Sequence, residues 1–291
     1  MIKVSGSYRA FQVINCFLLI IVVVVTLYPF IFVVSQSFSS QQYIAAGEVI
    51  LFPKGLTTET YNVVMHEKYF WLSYKNTVVY TVTATLISLF LTTMLAYALS
   101  KKRLKGRTVI LAFVVFTMFF NGGLIPNYLI VKYLGMRNTI WAVVIPGAIS
   151  TYNMIIMKTF FESLPIELEE AASVDGLNTY GLLLRIVLPL SMPIMATMAL
   201  FYAVANWNAW FGSFLYFDRK EDFPVALYLR NIIANAGQTA VNSGTDADAQ
   251  TQVNATIKST TIVLTVIPIL CVYPFVQKYF VTGVMIGSVK G

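Results

Sequence analysis

Charge is scarce in this chain of 291 residues: Asp, Glu, Lys and Arg together make up 11% of it, against about a quarter of an ordinary soluble domain. Histidine occurs once, as His66, with no ligand cluster near it. Cysteine occurs twice, as Cys16 and Cys271, each inside an apolar run. Those placements argue against a disulfide framework and against a Cys/His metal site. No G-x-x-x-x-G-K-[ST] stretch is present, so nucleotide-derived energy has to come from another chain. The long apolar runs hold no Asp, Glu, Lys, Arg or His, the groups an ion-coupled secondary transporter uses as relays and ion ligands. Nothing reads as a selectivity filter or a charged pore ring. A membrane-embedded enzyme would need a His/Asp/Glu/Ser or metal constellation at membrane depth, and none is visible.

What the chain has in abundance is apolar sequence, 57% of its residues, with a mean hydropathy of +0.72. Six charge-free segments, at 11–36, 76–100, 108–131, 139–157, 190–217 and 259–277, are each long enough for a hydrocarbon core that takes about 20 helical residues. Backbone groups in lipid have no water to bond, so the spans are expected to be helices and the chain an all-α polytopic membrane protein. The first apolar run is too long for a signal-peptide core and no small-residue cleavage pattern follows it, so no removable signal peptide is expected. No second domain and no internal repeat stand out.

The net charge of +7 does not point to nucleic acid, because the basic residues flank spans rather than forming one basic face. Five of them crowd into Lys101–Arg107, "KKRLKGR", which predicts a cytoplasmic loop. Six spans then place both termini, with Lys3, Arg9, Lys278 and Lys290, in the cytoplasm. The segments 38–75, 132–138 and 218–258 fall outside. Thr60–Phe70 reads as a weak helix, Pro29 as a kink in the first span, and polar 218–258 as a flexible outer loop.

Two spans carry polar residues that lipid does not require. Asn121–Leu129, "NGGLIPNYL", is consistent with a kink packed closely through small residues. The alternative is a bend facing a pathway, where Asn127 and Tyr128 offer hydrogen bonds. Asn206–Phe214, "NWNAWFGSF", fits an interfacial aromatic belt. It also fits a lining in which Asn206 and Asn208 bond a hydroxylated solute while Trp207 or Trp210 stacks on it. Asn206 and Trp210, four apart, would share a helix face.

Acidic residues number thirteen, fewer than the twenty basic ones, yet five of them lie between Glu162 and Asp175. Ser163 is placed to cap a short helix with Pro165 in its first turn and Glu167, Glu169 and Glu170 near the positive end of the dipole. Gly176 supplies a left-handed stop. From Pro165 to Asp175 such a helix measures roughly 16 Å, too short to span. Asn178 or Thr179 can cap a second, "YGLLLRIV". Leu168, Ala171, Ala172 and Asp175 fall at i, i+3, i+4 and i+7, a face thin enough to enter another protein's groove. A solvated, well-capped acidic loop satisfies the same local chemistry.

The order Glu170-Ala171-Ala172, three residues, Gly176, nine residues, Ile186, one residue, Leu188-Pro189 resembles the EAA motif of permease subunits of bacterial ATP-binding-cassette importers. Asp175, Pro193, "FNGGLIPNYLIVKYLG", "ALFYAVANWNAWF" and the tail Lys278–Gly291 are similar to the carbohydrate-uptake, MalG-like branch that handles oligosaccharides with a lipoprotein receptor. The resemblance covers essentially the whole chain. It implies a six-helix type I importer (MetI-like) fold whose coupling helices, about 163–187, dock on an ATPase. In it Glu170 meets an ATPase arginine, Ala171 and Ala172 permit close docking, Leu168 and Asp175 share that face, and Gly176 makes the turn. It further implies a homologous second permease, two ATPase copies that bind Mg-ATP, and an extracellular solute-binding lipoprotein. This chain would hold no cofactor, the partner permease would supply most sugar contacts, and 218–258 would take the place of a loop that probes the binding protein. The alternatives are an importer permease for a different solute and, less favoured by the charge-free spans, an ion-coupled secondary transporter that binds sodium through backbone carbonyls.

Overall fold

The computed structural model describes residues 6–242, 256–271 and 274. Among them the chain is helical apart from one isolated bridge between Ser39 and Leu56. The helices are α1 Gly6–Ser37, α2 Gln41–Ala45, α3 Glu59–His66, α4 Lys68–Ser100, α5 Arg107–Phe119, α6 Leu124–Tyr133, α7 Trp141–Val144 and α8 Thr151–Glu162. There follow α9 Ile166–Val174, α10 Thr179–Leu182, α11 Leu188–Leu190, α12 Met192–Trp207, α13 Phe211–Tyr216 and α14 Val225–Asn242. The last is α15, Thr256–Cys271. A π-helical stretch, Leu183–Val187, joins α10 to α11. The chain divides into two compact units, Met1–Lys68 with Leu229–Ile267, and Tyr69–Tyr228 with the residues from Pro268 onward.

In the first unit α1 runs through Pro29 without a break and leaves its apolar side chains uncovered, Phe11 to Val25 among them. A helix that is apolar all round is stable only with apolar surroundings, and here those are lipid. Its end is tied down by polar contacts. The Ser35 hydroxyl donates to the Leu51 carbonyl at 2.6 Å, Ser37 Oγ and the Tyr61 hydroxyl lie 2.8 Å apart, and Phe38 stacks on Tyr61. Burial pushes the Tyr61 hydroxyl above its usual pKa, while the Ser37 bond pulls the other way.

The second unit holds a core shared by several helices. Ala96, Tyr97 and Leu99 of α4 pack with Met154, Met157 and Phe161 of α8, Ala172 of α9, Leu182, and Ile194 and Met198 of α12. Helix α4 also buries a ladder of small hydroxyls, Ser73, Thr77, Thr81, Ser88 and Thr92, at spacings that keep them on one face. Small side chains let helix backbones approach closely within a membrane.

The expected spans are not all single rods. Two described helices, α4 and Phe11–Ser37 of α1, are long and apolar enough to cross alone, and up to four spans result if each bent pair counts as one. The 108–131 segment is α5 and α6, bent by 114°. Gly123 takes φ +92°, and the Asn121 side chain accepts its amide at 3.0 Å, a local turn that replaces the helical bond. A Cβ on Gly122 would meet nothing among the described residues, and one on Gly123 only Pro126 Cδ at 3.9 Å, so within this chain the glycines serve the bend. The 139–157 segment breaks after Val144 at Pro146-Gly147 and restarts at Thr151, where Ser150 Oγ accepts the Asn153 amide. The 190–217 segment stops at Trp207 and restarts at Phe211. The expected outer loop 218–258 contains an 18-residue helix, α14, anchored where the Val225 amide donates to Thr77 Oγ1 at 2.7 Å. Part of 259–277 and the tail from Lys278 lie outside the described residues.

Candidate functional site

Two places gather the residues singled out in the sequence. The first is α9. Its sequence has no helix breaker between Ile166 and Val174, and its end is a glycine turn: Gly176 takes φ +79°, and the Leu177 amide closes back on the Ala172 carbonyl at 3.0 Å, satisfying a terminal carbonyl. Asn178 Oδ1 then accepts the Gly181 amide at 2.7 Å and starts α10. Ser163 does not cap α9. It ends α8, and its hydroxyl donates back to the Phe160 carbonyl at 2.7 Å.

The five acidic residues divide into two groups. Glu169 is paired with Lys101, whose ammonium also sits 4.3 Å from the centre of the Tyr97 ring. Glu162 takes Arg107 on one oxygen and Lys158 on the other, and the Arg107 Nε donates to the Leu99 carbonyl at 2.7 Å. The basic loop after α4 is thereby clamped to α8 and α9. Glu167, Glu170 and Asp175 are exposed and have no ion pair or side-chain hydrogen bond among the described residues. A cavity of about 720 Å³ opens between Lys101–Arg103 and α9, with Glu162, Glu169 and Glu170 on its wall.

Burial redraws the face read from the spacing. Ala172 is 2% exposed and belongs to the core, so it seats α9 on its own chain and is not offered to a partner. Leu168 and Ala171 are exposed, and Val174, which the spacing argument passed over, is 88% exposed. The outward face therefore comprises Leu168, Glu170, Ala171, Val174 and Asp175. That face sets an exposed valine between carboxylates that have no ion pair among the described residues, on a helix held to the core from behind.

The second place is a cavity of about 410 Å³ around the helix breaks, which brings Asn127 and Asn206 together with Asn121, Tyr80 and Ser213. Asn206 Nδ2 donates to the Tyr202 carbonyl and Asn208 Nδ2 to the Val204 carbonyl, each at 2.8 Å. These bonds serve the frayed end of α12. Because that helix stops at Trp207, Trp210 does not share a helical face with Asn206. It packs against Phe211 and Phe214 instead. Trp207 meets Tyr74 edge-on at 6.0 Å, its Nε1 buried with no partner among the described residues, and borders a separate, apolar cavity of about 870 Å³. Tyr128 stacks on Tyr216 and lies under the Arg137 guanidinium. Arg137 and Asn138 together hold the Asp218 carboxylate at 2.8 Å. The Asn138 bond, and then the Arg137 charge, keep Asp218 below the usual carboxylate pKa. Tyr128, Asn208 and Trp210 thus stand apart from the cavity.

Residues 108–286 match the family described as binding-protein-dependent transport system inner membrane component. The chain belongs to that family. It is 42% identical to protein LplC of Bacillus subtilis (strain 168), over 97% of this chain and 96% of the relative. It is 38% identical to the polygalacturonan/rhamnogalacturonan transport system permease protein YtcP of the same organism, over 97% and 99%. Its structure is similar to a chain in the crystal structure of a bacterial ABC transporter involved in the import of the acidic polysaccharide alginate. That likeness has a TM-score of 0.87 and 36% identity, and covers 96% of this chain and all of the other.

The chain is thus a membrane-embedded transport permease and not an enzyme, with the helical fold of its family. Sequence reasoning about the permease missed Lys101, Arg107 and Lys158 as partners of the acidic cluster. The local excess of both charges was visible, but the Lys101–Glu169 pairing spans 68 positions and no local period encodes it.

Proposed function

We propose that this chain is one of two permease subunits of an ATP-driven importer. It carries an oligosaccharide derived from a polysaccharide across the plasma membrane, with both termini in the cytoplasm. The observation that carries the reading is α9, clamped to its own core by Ala172 and the Lys101–Glu169 pair while Glu170, Val174 and Asp175 face outward. A surface held rigidly from behind transmits displacement, where a loose loop would absorb it. In this reading two cytoplasmic ATPase subunits bind Mg-ATP and close, α9 moves with the cleft that holds it, and the shared core carries the motion into α4, α8 and α12. An extracellular solute-binding lipoprotein delivers the sugar to a cavity shared with a homologous second permease, and this chain holds no cofactor. The six-span topology is part of the same proposal. The named substrates of the relatives, polygalacturonan/rhamnogalacturonan and alginate, support the saccharide class.

The test is uptake by proteoliposomes containing both permeases and the ATPase, with labelled galacturonate and mannuronate trisaccharides delivered by the binding protein. Uptake is expected to require internal ATP and loaded binding protein together. Uptake driven by an imposed ion gradient without ATP would overturn the reading.

A further inference from the structure

We propose that the 410 Å³ cavity at the helix breaks is a sugar-hydroxyl subsite belonging to this subunit. It rests on the import reading and extends it, because the family resemblance assigns most sugar contacts to the other permease. The cavity is bordered by the 120–123, 145–150 and 208–210 interruptions. Irregular backbone at membrane depth persists where it lines a polar, water-accessible space, and discontinuous spans commonly frame transported solutes.

The polar groups around it are placed to bond a ligand. Ser213 is 4% exposed and borders the cavity with its hydroxyl-bearing side chain. Asn206 uses Nδ2 on the Tyr202 carbonyl, which leaves its Oδ1 as an acceptor. Asn121 uses Oδ1 on the Gly123 amide and faces Asn127 Nδ2 at 3.4 Å, which leaves the Asn121 amide as a donor and Asn127 Oδ1 as an acceptor. Tyr80 and Phe211 add aromatic walls. Neutral donors and acceptors beside apolar faces suit a pyranose, with hydroxyls at its rim and C–H bonds on its faces. No charged side chain among the described residues lines the cavity, and an unpaired carboxylate is costly to desolvate. The subsite therefore recognises hydroxyls and leaves a uronic acid's carboxylate to lie outside it.

The test is local protection in the reconstituted complex. Cys16 and Cys271 are replaced by Ser, Ser213→Cys is introduced, and its alkylation by neutral iodoacetamide is timed. Galacturonate and mannuronate trisaccharides and their carboxyl-reduced neutral forms serve as probes. A transported trisaccharide is expected to slow alkylation about tenfold. Its neutral form should protect equally, within about twofold, because no ion pair is lost. Adding Asn206→Leu should reduce protection about fivefold, the loss of roughly one neutral hydrogen bond, while the permease still copurifies with its ATPase. Undiminished alkylation while the trisaccharide is still imported would overturn the subsite and leave the import reading intact. Protection by the charged form alone would overturn the hydroxyl assignment. If none of the probes is imported by the wild-type complex, both readings fall.

Discussion

Glu170→Lys should lower ATP-driven uptake more than thirtyfold while leaving assembly and thermal stability of the permease unchanged. Glu170 is exposed on α9 and has no ion-pair or side-chain hydrogen-bond partner among the described residues, so its reversal removes nothing that holds the fold. On the proposed reading its carboxylate meets an ATPase arginine. Losing one half of a desolvated, hydrogen-bonded charge pair at an interface costs about 2–5 kcal/mol, and reversal adds repulsion. Each 1.4 kcal/mol is about a factor of ten, which sets the scale of the loss. Uptake and binding-protein-stimulated ATP hydrolysis in proteoliposomes check it, with copurification of the ATPase as a third readout. Wild-type values in both activities would remove Glu170 from the interface.

Lys101→Glu is the second large effect, and it acts on the other side of α9. Lys101 and Glu169 have side chains 12% and 24% exposed, between a surface pair, worth about 0–1 kcal/mol, and a buried one, whose disruption costs about 3–5 kcal/mol. A loss of about 1–3 kcal/mol in the seating of α9 follows, with two carboxylates left facing each other. Basal ATP hydrolysis should persist while stimulation by the loaded binding protein falls at least fivefold. Combining Lys101→Glu with Glu169→Lys restores opposite charges and should recover most of that stimulation. Recovery is the informative arm, because a requirement for Lys101 in some other role would leave the double variant as impaired as the single.

Much of this arrangement was legible in the sequence, for identifiable reasons. Charge-free runs register in composition, and the turn at Gly176 and the cap at Asn178 depend on residues within a few positions of the bonds they make. The interruptions were harder to read. Asn121-Gly122-Gly123 is apolar enough in its surroundings to pass as a kinked helix, and only the Asn121–Gly123 turn and the 114° bend separate α5 from α6. Ala172 illustrates a different limit. Helical spacing placed it with Leu168 and Asp175, but a nine-residue helix has neighbours on more than one side, and the Met157–Leu182–Met198 core claims the alanine. Helix α14 was hidden by the polar sequence that begins inside it at Asn235 and runs on past its end, although Val225 and Leu227, both fully buried, open it with a strong apolar signal. The pairing of Lys101 with Glu169 depends on the tertiary fold alone.

The central claim is that α9 is where an ATPase subunit engages this permease. Val174, at 88% exposure the most open apolar residue of that helix, is the position to interrogate. A photo-crosslinking amino acid there, activated in the intact complex, is expected to capture the ATPase, with a yield that changes between the ATP-bound and nucleotide-free states. Crosslinks only to lipid or to the second permease, in both nucleotide states, would contradict the account.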